Sequence, residues 1–195
     1  TGAMYRAVTL YVMRNNLIAE DFFDKDALVE SLVDIQLKFK FNPDKGFAEI
    51  YLNGENVEDE IRTLNVSNFV SQVATIPAVR KKQVEQQHLL GQEKGIVMDG
   101  RDIGTVVFPK AELKLFMTAS AETRAQRRFD ELKEKGEEVT YEDVFENVKS
   151  RDHIDSTRKD SPLIQAKDAV VIDNSSLSLE EQFEKILSLA KNIID

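Results

Sequence analysis

The sequence predicts an α/β protein that contains a parallel sheet and a small antiparallel insert. Short apolar runs at 96–98, 113–117 and 169–173 alternate with helical patterns, as buried parallel strands do. Residues 34–42 and 47–52 instead place apolar side chains at every second position, which is typical of half-buried antiparallel strands. The length of 195 residues suits one main domain with a small inserted lobe.

The helices are predicted from apolar spacing and from end signals. Apolar residues recur at helical intervals within residues 1–15, and Asp24 or Asp26 can cap a short helix that reaches Leu32. Further helices are predicted over residues 60–74, from Pro77 to Gly91 or Gly95, over 121–136 and from Ser178 to Leu189.

Residues 32–59 are predicted to form the antiparallel lobe. A turn that contains Pro43 and Gly46 joins the two alternating runs, and Asn53-Gly54 is a strong hairpin dipeptide. The remaining segments, 1–31 and 60–195, are predicted to form the core.

The composition excludes several classes of function. The formal net charge of −9 gives no basic footprint for nucleic acid. No apolar run reaches the length of a membrane span and no secretion signal opens the chain, so we expect a cytoplasmic protein without a membrane partner. The absence of cysteine excludes disulfides and thiolate sites, and neither His88 nor His153 has a partner at ligand spacing. No metal site is therefore predicted.

Arg101 and Asp102 come shortly after the apolar run 96–98, which Asp99 and Gly100 follow. Ligands of open parallel sheets bind beyond the carboxyl ends of the strands, so charged residues at this point favour a binding role. Gly100 and Gly104 allow the backbone to pass close to a ligand. The same residues also fit a salt bridge at a strand end with ordinary turn glycines.

Arg151, Asp155 and Arg158 are spaced to share one face of a helix. Two guanidinium groups and a carboxylate could hold the phosphate and the sugar hydroxyls of a nucleotide. The spacing fits a solvated ion-pair ladder equally well. Arg124, Arg127 and Arg128 lie in a charged segment of the kind that usually forms a solvated helix face.

Four blocks of sequence, in this order, resemble bacterial cytidylate kinases and span nearly the whole chain. They are Thr-Gly-Ala-Met-Tyr-Arg at 1–6, Ser71 with Pro77 and Arg80, Asp-Gly-Arg-Asp-Ile-Gly-Thr-Val-Val-Phe-Pro at 99–109, and Arg151 through Asp155 to Arg158. The resemblance implies a P-loop nucleoside monophosphate kinase-like fold, with 32–59 as the insert that binds the monophosphate and a helical lid at about 120–160. It implies a monomer that transfers a phosphoryl group from ATP, with Mg²⁺, to CMP or dCMP.

The resemblance also implies roles for single residues. Ser71, Arg80 and Asp102 would face cytosine, and Arg6 and Arg101 would face the phosphate of CMP. Arg151 and Asp155 would hold the sugar side, and Arg158 would reach the base or the phosphate. The further implied residues are Thr1 and Tyr5 for the substrate, Arg101, Arg151 and Arg158 for catalysis, and Arg124 and Arg127 for ATP.

The chemistry of Asp102 and Arg80 fits their implied roles. The exocyclic N4 of cytosine donates hydrogen bonds, which suits a carboxylate, whereas its O2 and N3 accept them, which suits a guanidinium. Uracil would set an acceptor, O4, against the carboxylate. Asp102 is therefore predicted to select the base.

One motif of the family does not occur in the sequence. ATP phosphates are cradled in this class by a Gly-x-x-x-x-Gly-Lys-[Ser/Thr] loop, and no such run is present. We expect a first strand, this loop and a helix, roughly 30 residues or more, to be missing upstream of Thr1, and Mg²⁺ to be held largely by that loop and by ATP. These 195 residues alone are then predicted to be inactive. A non-catalytic nucleotide-binding fragment and a kinase of another small acceptor, such as UMP or shikimate, remain as alternatives.

Overall fold

A computed structural model describes residues 1–92 and 94–194. The helices are α1 (Gly2–Arg14), α2 (Lys25–Ser31), α3 (Leu64–Val73), α4 (Pro77–Leu90), α5 (Ala121–Glu134), α6 (Tyr141–Thr157) and α7 (Leu179–Ile194). The strands are β1 (Ile18–Ala19), β2 (Phe22–Phe23), β3 (Leu37–Asn42), β4 (Phe47–Leu52), β5 (Glu55–Asn56), β6 (Leu115–Thr118) and β7 (Val170–Asp173). Short 3₁₀ turns cover Leu32–Asp34 and Glu60–Arg62, and a π-helical turn covers Ile103–Val107.

The chain divides into two compact units. Unit 1 comprises Thr1–Gly100 together with Arg158–Asp160, and unit 2 comprises Arg101–Thr157 and the residues from Ser161 onward. The predicted division into a core, an insert and a lid is defined by function and not by contacts within the chain. It stays a prediction.

Helix α1 is the centre of unit 1. Its buried residues, including Met4, Val8 and Val12, pack in one apolar cluster with residues of α2, β4 and α3. Burial of a Val or Met side chain contributes about 1.5–3 kcal/mol each. Side-chain caps fix the starts of the neighbouring helices: Asp24 accepts the Ala27 N–H at α2, and Thr63 accepts the Val66 N–H at α3. The helical spacing read from residues 1–15 is confirmed.

The predicted alternating strands pair as β3 and β4 in an antiparallel sheet with the order β3-β4-β5. Leu37 lies opposite Leu52, and Phe39 lies opposite Ile50, on the same face. Ile50 and Leu52 are buried in the core of unit 1. Phe39 and Phe41, on this face of β3, are exposed, and β3 has no buried residue. The apolar period of two therefore identified both strands, and it identified a buried face correctly for β4 but not for β3.

Strands β1 and β2 form a hairpin that the sequence reading missed. Ile18 pairs with Phe23 and Ala19 with Phe22. Each strand has only two residues, so neither can show the alternation by which strands are recognised.

Unit 2 is built on the parallel pair β6 and β7, in which Leu115 lies opposite Val170 and Thr118 opposite Asp173. Ser120 caps α5 by accepting the Thr123 N–H. Helices α5 and α6 pack against each other, with Ala125, Leu132 and Val144 buried. The two predicted apolar runs at 113–117 and 169–173 are thus confirmed as parallel strands. Their predicted burial is wrong for Met117, Val170 and Val171, which are exposed, whereas Ile172 is buried.

Two local predictions were wrong. Residues 96–98 form no strand, and Val97 is fully exposed. A strand needs a ladder partner for its N–H and C=O groups, and no strand among the described residues pairs with this run. Arg158 does not share a helical face with Arg151 and Asp155, because α6 ends at Thr157.

No helix within the described residues combines the length and the apolarity that crossing a membrane requires.

Candidate functional site

The predicted site residues of unit 1 lie on α1, α3 and α4. Arg6, on α1, donates from Nη1 to the Ile61 carbonyl at 2.9 Å and from Nη2 to Ser67 Oγ at 2.9 Å. These bonds tie the guanidinium to the start of α3. Ser71 lies one helical turn beyond Ser67 and is almost completely buried.

Arg80 is a buried cation near the start of α4, with 3% of its surface exposed. Its Nη1 is 3.4 Å from the Ala74 carbonyl oxygen, and its guanidinium carbon is 5.8 Å from the centre of the Tyr5 ring. Asp160 Oδ2 lies 3.9 Å from Arg80 Nε. A guanidinium in such a low-dielectric setting binds acceptors more strongly than an exposed one does.

The other predicted residues of unit 1 are Thr1 and Arg158. Thr1 donates from Oγ1 to the Asp99 carbonyl at 2.5 Å. Arg158 directly follows α6 in the sequence but clusters with unit 1.

In unit 2, Asp155 brings two predicted arginines together. Arg101 Nε donates to Asp155 Oδ2 at 2.9 Å, and the Asp155 carboxylate is buried whereas Arg101 is nearly half exposed. Arg151 lies one turn earlier on α6. Burial lowers the pKa of Arg151 to about 10, the like charge of Arg101 adds to this, and the Asp155 carboxylate opposes it.

The Arg151 guanidinium is still charged at neutral pH but is poorly compensated. Its buried Nε has no hydrogen-bond partner within residues 1–92 and 94–194. Buried donors without a partner are rare in native proteins. Arg101 and Arg151 around Asp155 therefore form a group that can accept an anion.

Asp102 begins a tight turn of backbone. Its carbonyl oxygen accepts the N–H groups of Val106 at 2.8 Å and of Val107 at 3.2 Å, which winds Ile103–Val107 into the π-helical turn. Such turns occur frequently at functional sites. Asp102 is buried, with 6% of its surface exposed. A Cβ at Gly104 would come within 3.2 Å of the Lys114 side chain, which would have to shift slightly to make room for it.

The arginines of α5 are engaged within unit 2. Arg124 makes a bidentate pair with Asp152 of α6, at 2.9 and 2.7 Å, and donates to the Ala119 carbonyl. Arg127 donates to Asn174, in the loop that follows β7. Arg128 pairs with Glu131. The reading of these arginines as a merely solvated face therefore does not describe Arg124, which joins two helices.

Sequence reasoning missed two residues of these groups: Asp152, which pairs with Arg124, and Asp160, which lies near Arg80. It also missed Gln83 of α4, whose side chain is buried. Asp152 has a weak signal, because it directly follows Arg151 in the fourth block of the resemblance. Gln83 has none, since a glutamine on a polar helix predicts exposure.

The fold and these groups define an α/β protein with buried arginine and carboxylate side chains suited to an anionic ligand. A family model for cytidylate kinase matches residues 1–192. A cytidylate kinase of Flavobacterium johnsoniae is 65% identical over 194 residues, which cover 100% of this chain and 84% of the relative. Cytidylate kinases of Flavobacterium psychrophilum and Bacteroides thetaiotaomicron are 61% and 55% identical, covering 99% and 94% of this chain and 85% and 80% of the relatives. The chain belongs to the cytidylate kinase family.

Proposed function

We propose that this chain provides the acceptor site for ATP-dependent phosphorylation of CMP and dCMP, which yields CDP or dCDP and ADP. The observation that carries the proposal is the group of Arg101 and Arg151 around the buried Asp155. A nucleoside monophosphate supplies a dianion for the guanidinium groups and sugar hydroxyls for the carboxylate.

We propose that Ser71, Arg80 and Asp102 recognise cytosine. Burial of all three side chains supports this role. A buried polar group that a ligand satisfies contributes to binding, and the same group left without its partner by a wrong base opposes binding. Asp102 would accept from N4, and Arg80 would donate to O2 and N3.

We propose that Arg6, Arg101, Arg151 and Arg158 bind the phosphate of CMP, with Thr1 and Tyr5 beside it. The unpartnered Nε and the lowered pKa of Arg151 support its part in this site. An arriving dianion would supply the missing compensation. The free energy that burying Arg151 costs in the empty protein would then be recovered on binding.

During transfer, a phosphate oxygen of CMP forms a bond to the γ-phosphorus of ATP while the bond from that phosphorus to the bridging oxygen breaks, and ADP leaves. Arg101, Arg151 and Arg158 are proposed to stabilise the negative charge that spreads over the transferred group. Residues at about 120–160 are proposed to form the lid that excludes water, so that CMP and not water receives the phosphoryl group.

Arg124 and Arg127 are proposed to lie on the ATP side. Their bonds to Asp152 and Asn174 hold each guanidinium in a defined position. Across the described part of the chain, no cluster of three or more histidine, cysteine or acidic side chains could hold a metal ion. We derive no step through Mg²⁺.

We further propose that the 195 residues alone bind CMP but transfer phosphoryl groups poorly, because the sequence contains no Gly-x-x-x-x-Gly-Lys-[Ser/Thr] loop. Two assays test the two parts. A thermal-shift panel of CMP, dCMP, UMP and AMP should show stabilisation by CMP and dCMP. An assay of ADP release from ATP and Mg²⁺ should show no increase on adding CMP. Stabilisation by UMP or AMP alone would refute the proposed acceptor, and robust CMP-dependent ADP release would refute the proposed inactivity.

A further inference from the structure

The three residues Arg158–Asp160 belong to unit 1, although the residues on both sides of them in the sequence belong to unit 2. Helix α6 ends at Thr157, just before these residues. Just after them, Ser161 takes a φ of 49°, a left-handed conformation that is uncommon for serine. This sharp turn of the chain directly follows Asp160.

Within unit 1, Asp160 reaches Arg80. Asp160 Oδ2 lies 3.9 Å from Arg80 Nε, and the two side chains differ greatly in exposure, at 50% for Asp160 and 3% for Arg80. The Ala74 carbonyl is near Nη1 and the Tyr5 ring is near the guanidinium carbon. The carboxylate of Asp160 is therefore on the Nε side of the guanidinium, away from the Nη1 contact.

Orientation matters for this guanidinium because its hydrogen bonds are directional. Arginine presents its donors in a rigid planar fork, so a rotation of the plane misdirects several donors together. The side chain also loses rotamer entropy when its orientation is fixed. The negative charge of a carboxylate on the Nε side favours one orientation of the guanidinium plane and so reduces this loss on binding, although at 3.9 Å the contact is an ion pair and not a hydrogen bond.

We propose that Asp160 is a positioning residue for base recognition, which acts by orienting the Arg80 guanidinium toward the cytosine ring. This inference rests on the proposed function, because it takes Arg80 to be a cytosine-binding residue. We expect Asp160 itself to touch no part of the substrate. Its removal should therefore weaken binding of the base and should not affect the phosphate contacts.

The test compares three variants of the 195-residue chain by calorimetric titration with CMP and with cytidine. Asp160→Asn keeps the shape and removes the charge, Asp160→Glu restores the charge, and Lys159→Gln is the matched control at the neighbouring exposed residue. We expect Asp160→Asn to raise Kd about three- to fivefold for CMP and by the same factor for cytidine, the size of one partly exposed ion pair. Asp160→Glu should recover most of the affinity, and Lys159→Gln should bind as the wild type does.

Parallel loss for both ligands, at an unchanged melting temperature and with recovery in Asp160→Glu, supports the inference. Unchanged affinity in Asp160→Asn overturns it, whether or not the melting temperature falls. A loss for CMP without a loss for cytidine also overturns it, because Asp160 would then act at the phosphate end. The wild type is also titrated with UMP: if it binds CMP no better than UMP, the proposed function fails first, independently of the variants.

Discussion

Asp102 is the residue for which the chemistry makes the sharpest prediction. Asp102→Asn should lower the preference for CMP over UMP, because a carboxylate only accepts hydrogen bonds whereas an amide can also donate to O4 of uracil. Loss of a buried charge-assisted bond costs about 1.5–3 kcal/mol, which corresponds to about tenfold to more than a hundredfold in relative affinity. Equilibrium dialysis with labelled CMP and UMP measures this ratio.

A stability control is needed for Asp102, because its carbonyl starts the π-helical turn and the substitution could disturb that turn. The melting temperature of Asp102→Asn should stay close to that of the wild type. If a well-folded variant lost affinity for CMP and UMP in equal proportion, Asp102 would not select the base.

The buried side chain of Gln83 leads to a prediction about the stability of the protein and not about ligand binding. Its side chain is fully buried, and neither its amide nitrogen nor its oxygen has a hydrogen-bond partner in the described part of the chain. Gln83→Leu keeps the approximate volume and removes both groups, so it should stabilise the protein by about 1–3 kcal/mol. Thermal unfolding measures this as a higher melting temperature.

Gln83→Glu is the opposing variant, since it places a charge in the same buried position and should lower the melting temperature strongly. A melting temperature that falls in Gln83→Leu would show that the amide is satisfied in the native protein. The reasoning from its missing partners would then be wrong.

The residue types in the sequence identified candidate site residues, but they did not identify the contacts between those residues. Arg101, Arg151 and Asp155 were predicted to be important, and the structure brings Arg101 to Asp155. The spacing predicted Arg158 as the second arginine of that helical face, but α6 ends one residue earlier. Helical spacing cannot foresee a partner that lies 54 residues away in the sequence, as Arg101 does from Asp155.

At the scale of elements, the antiparallel sheet contains a buried glutamate that can be tested by pH. Glu49 of β4 is buried, pairs with Lys45 at 2.8 Å and accepts from Asn42 and Asn56 at 3.0 Å. The hydrogen bond from Lys45, followed by that from Asn42, lowers the pKa of Glu49 below its ordinary value. The ionised glutamate thus stabilises this hairpin.

Glu49→Gln should lower the melting temperature at neutral pH. Because the folded-state pKa lies below the unfolded value of about 4.3, the stabilisation is complete above that value and is lost as the pH falls through the folded-state pKa. The difference between wild type and Glu49→Gln should shrink over that acidic range. Glu112→Gln, at an exposed glutamate, is the control. A difference that is independent of pH would mean that the ion pair does not contribute.

Elements with a strong period of apolar residues were predictable from the sequence. Elements that depend on pairing with a neighbouring strand were not. The alternation in β3 and β4 and the cap of α2 at Asp24 are local, so the sequence contains them. The run at 96–98 is as apolar as β7, yet it forms no strand. Apolarity predicts burial, whereas a strand also requires hydrogen bonds from a neighbour.

At the scale of the molecule, the family that the sequence resembles is the family to which the comparisons assign the chain. The four blocks named the family because their residue types occur in order over nearly the whole chain, and the family model matches residues 1–192. The division into two compact units was not foreseen. It places Arg158–Asp160 apart from its sequence neighbours, which is a property of the folded chain that periodicity cannot encode. The predicted loop upstream of Thr1 stays a prediction.

The central claim is that this chain binds a pyrimidine monophosphate through residues that select cytosine. Isothermal titration of the 195-residue chain with CMP and with UMP, in the same buffer and at the same ionic strength, tests it most directly. We predict a Kd for CMP at least about tenfold lower than that for UMP, the size of one buried hydrogen bond to the base. Equal affinity for the two nucleotides, or tighter binding of UMP, would contradict the claim.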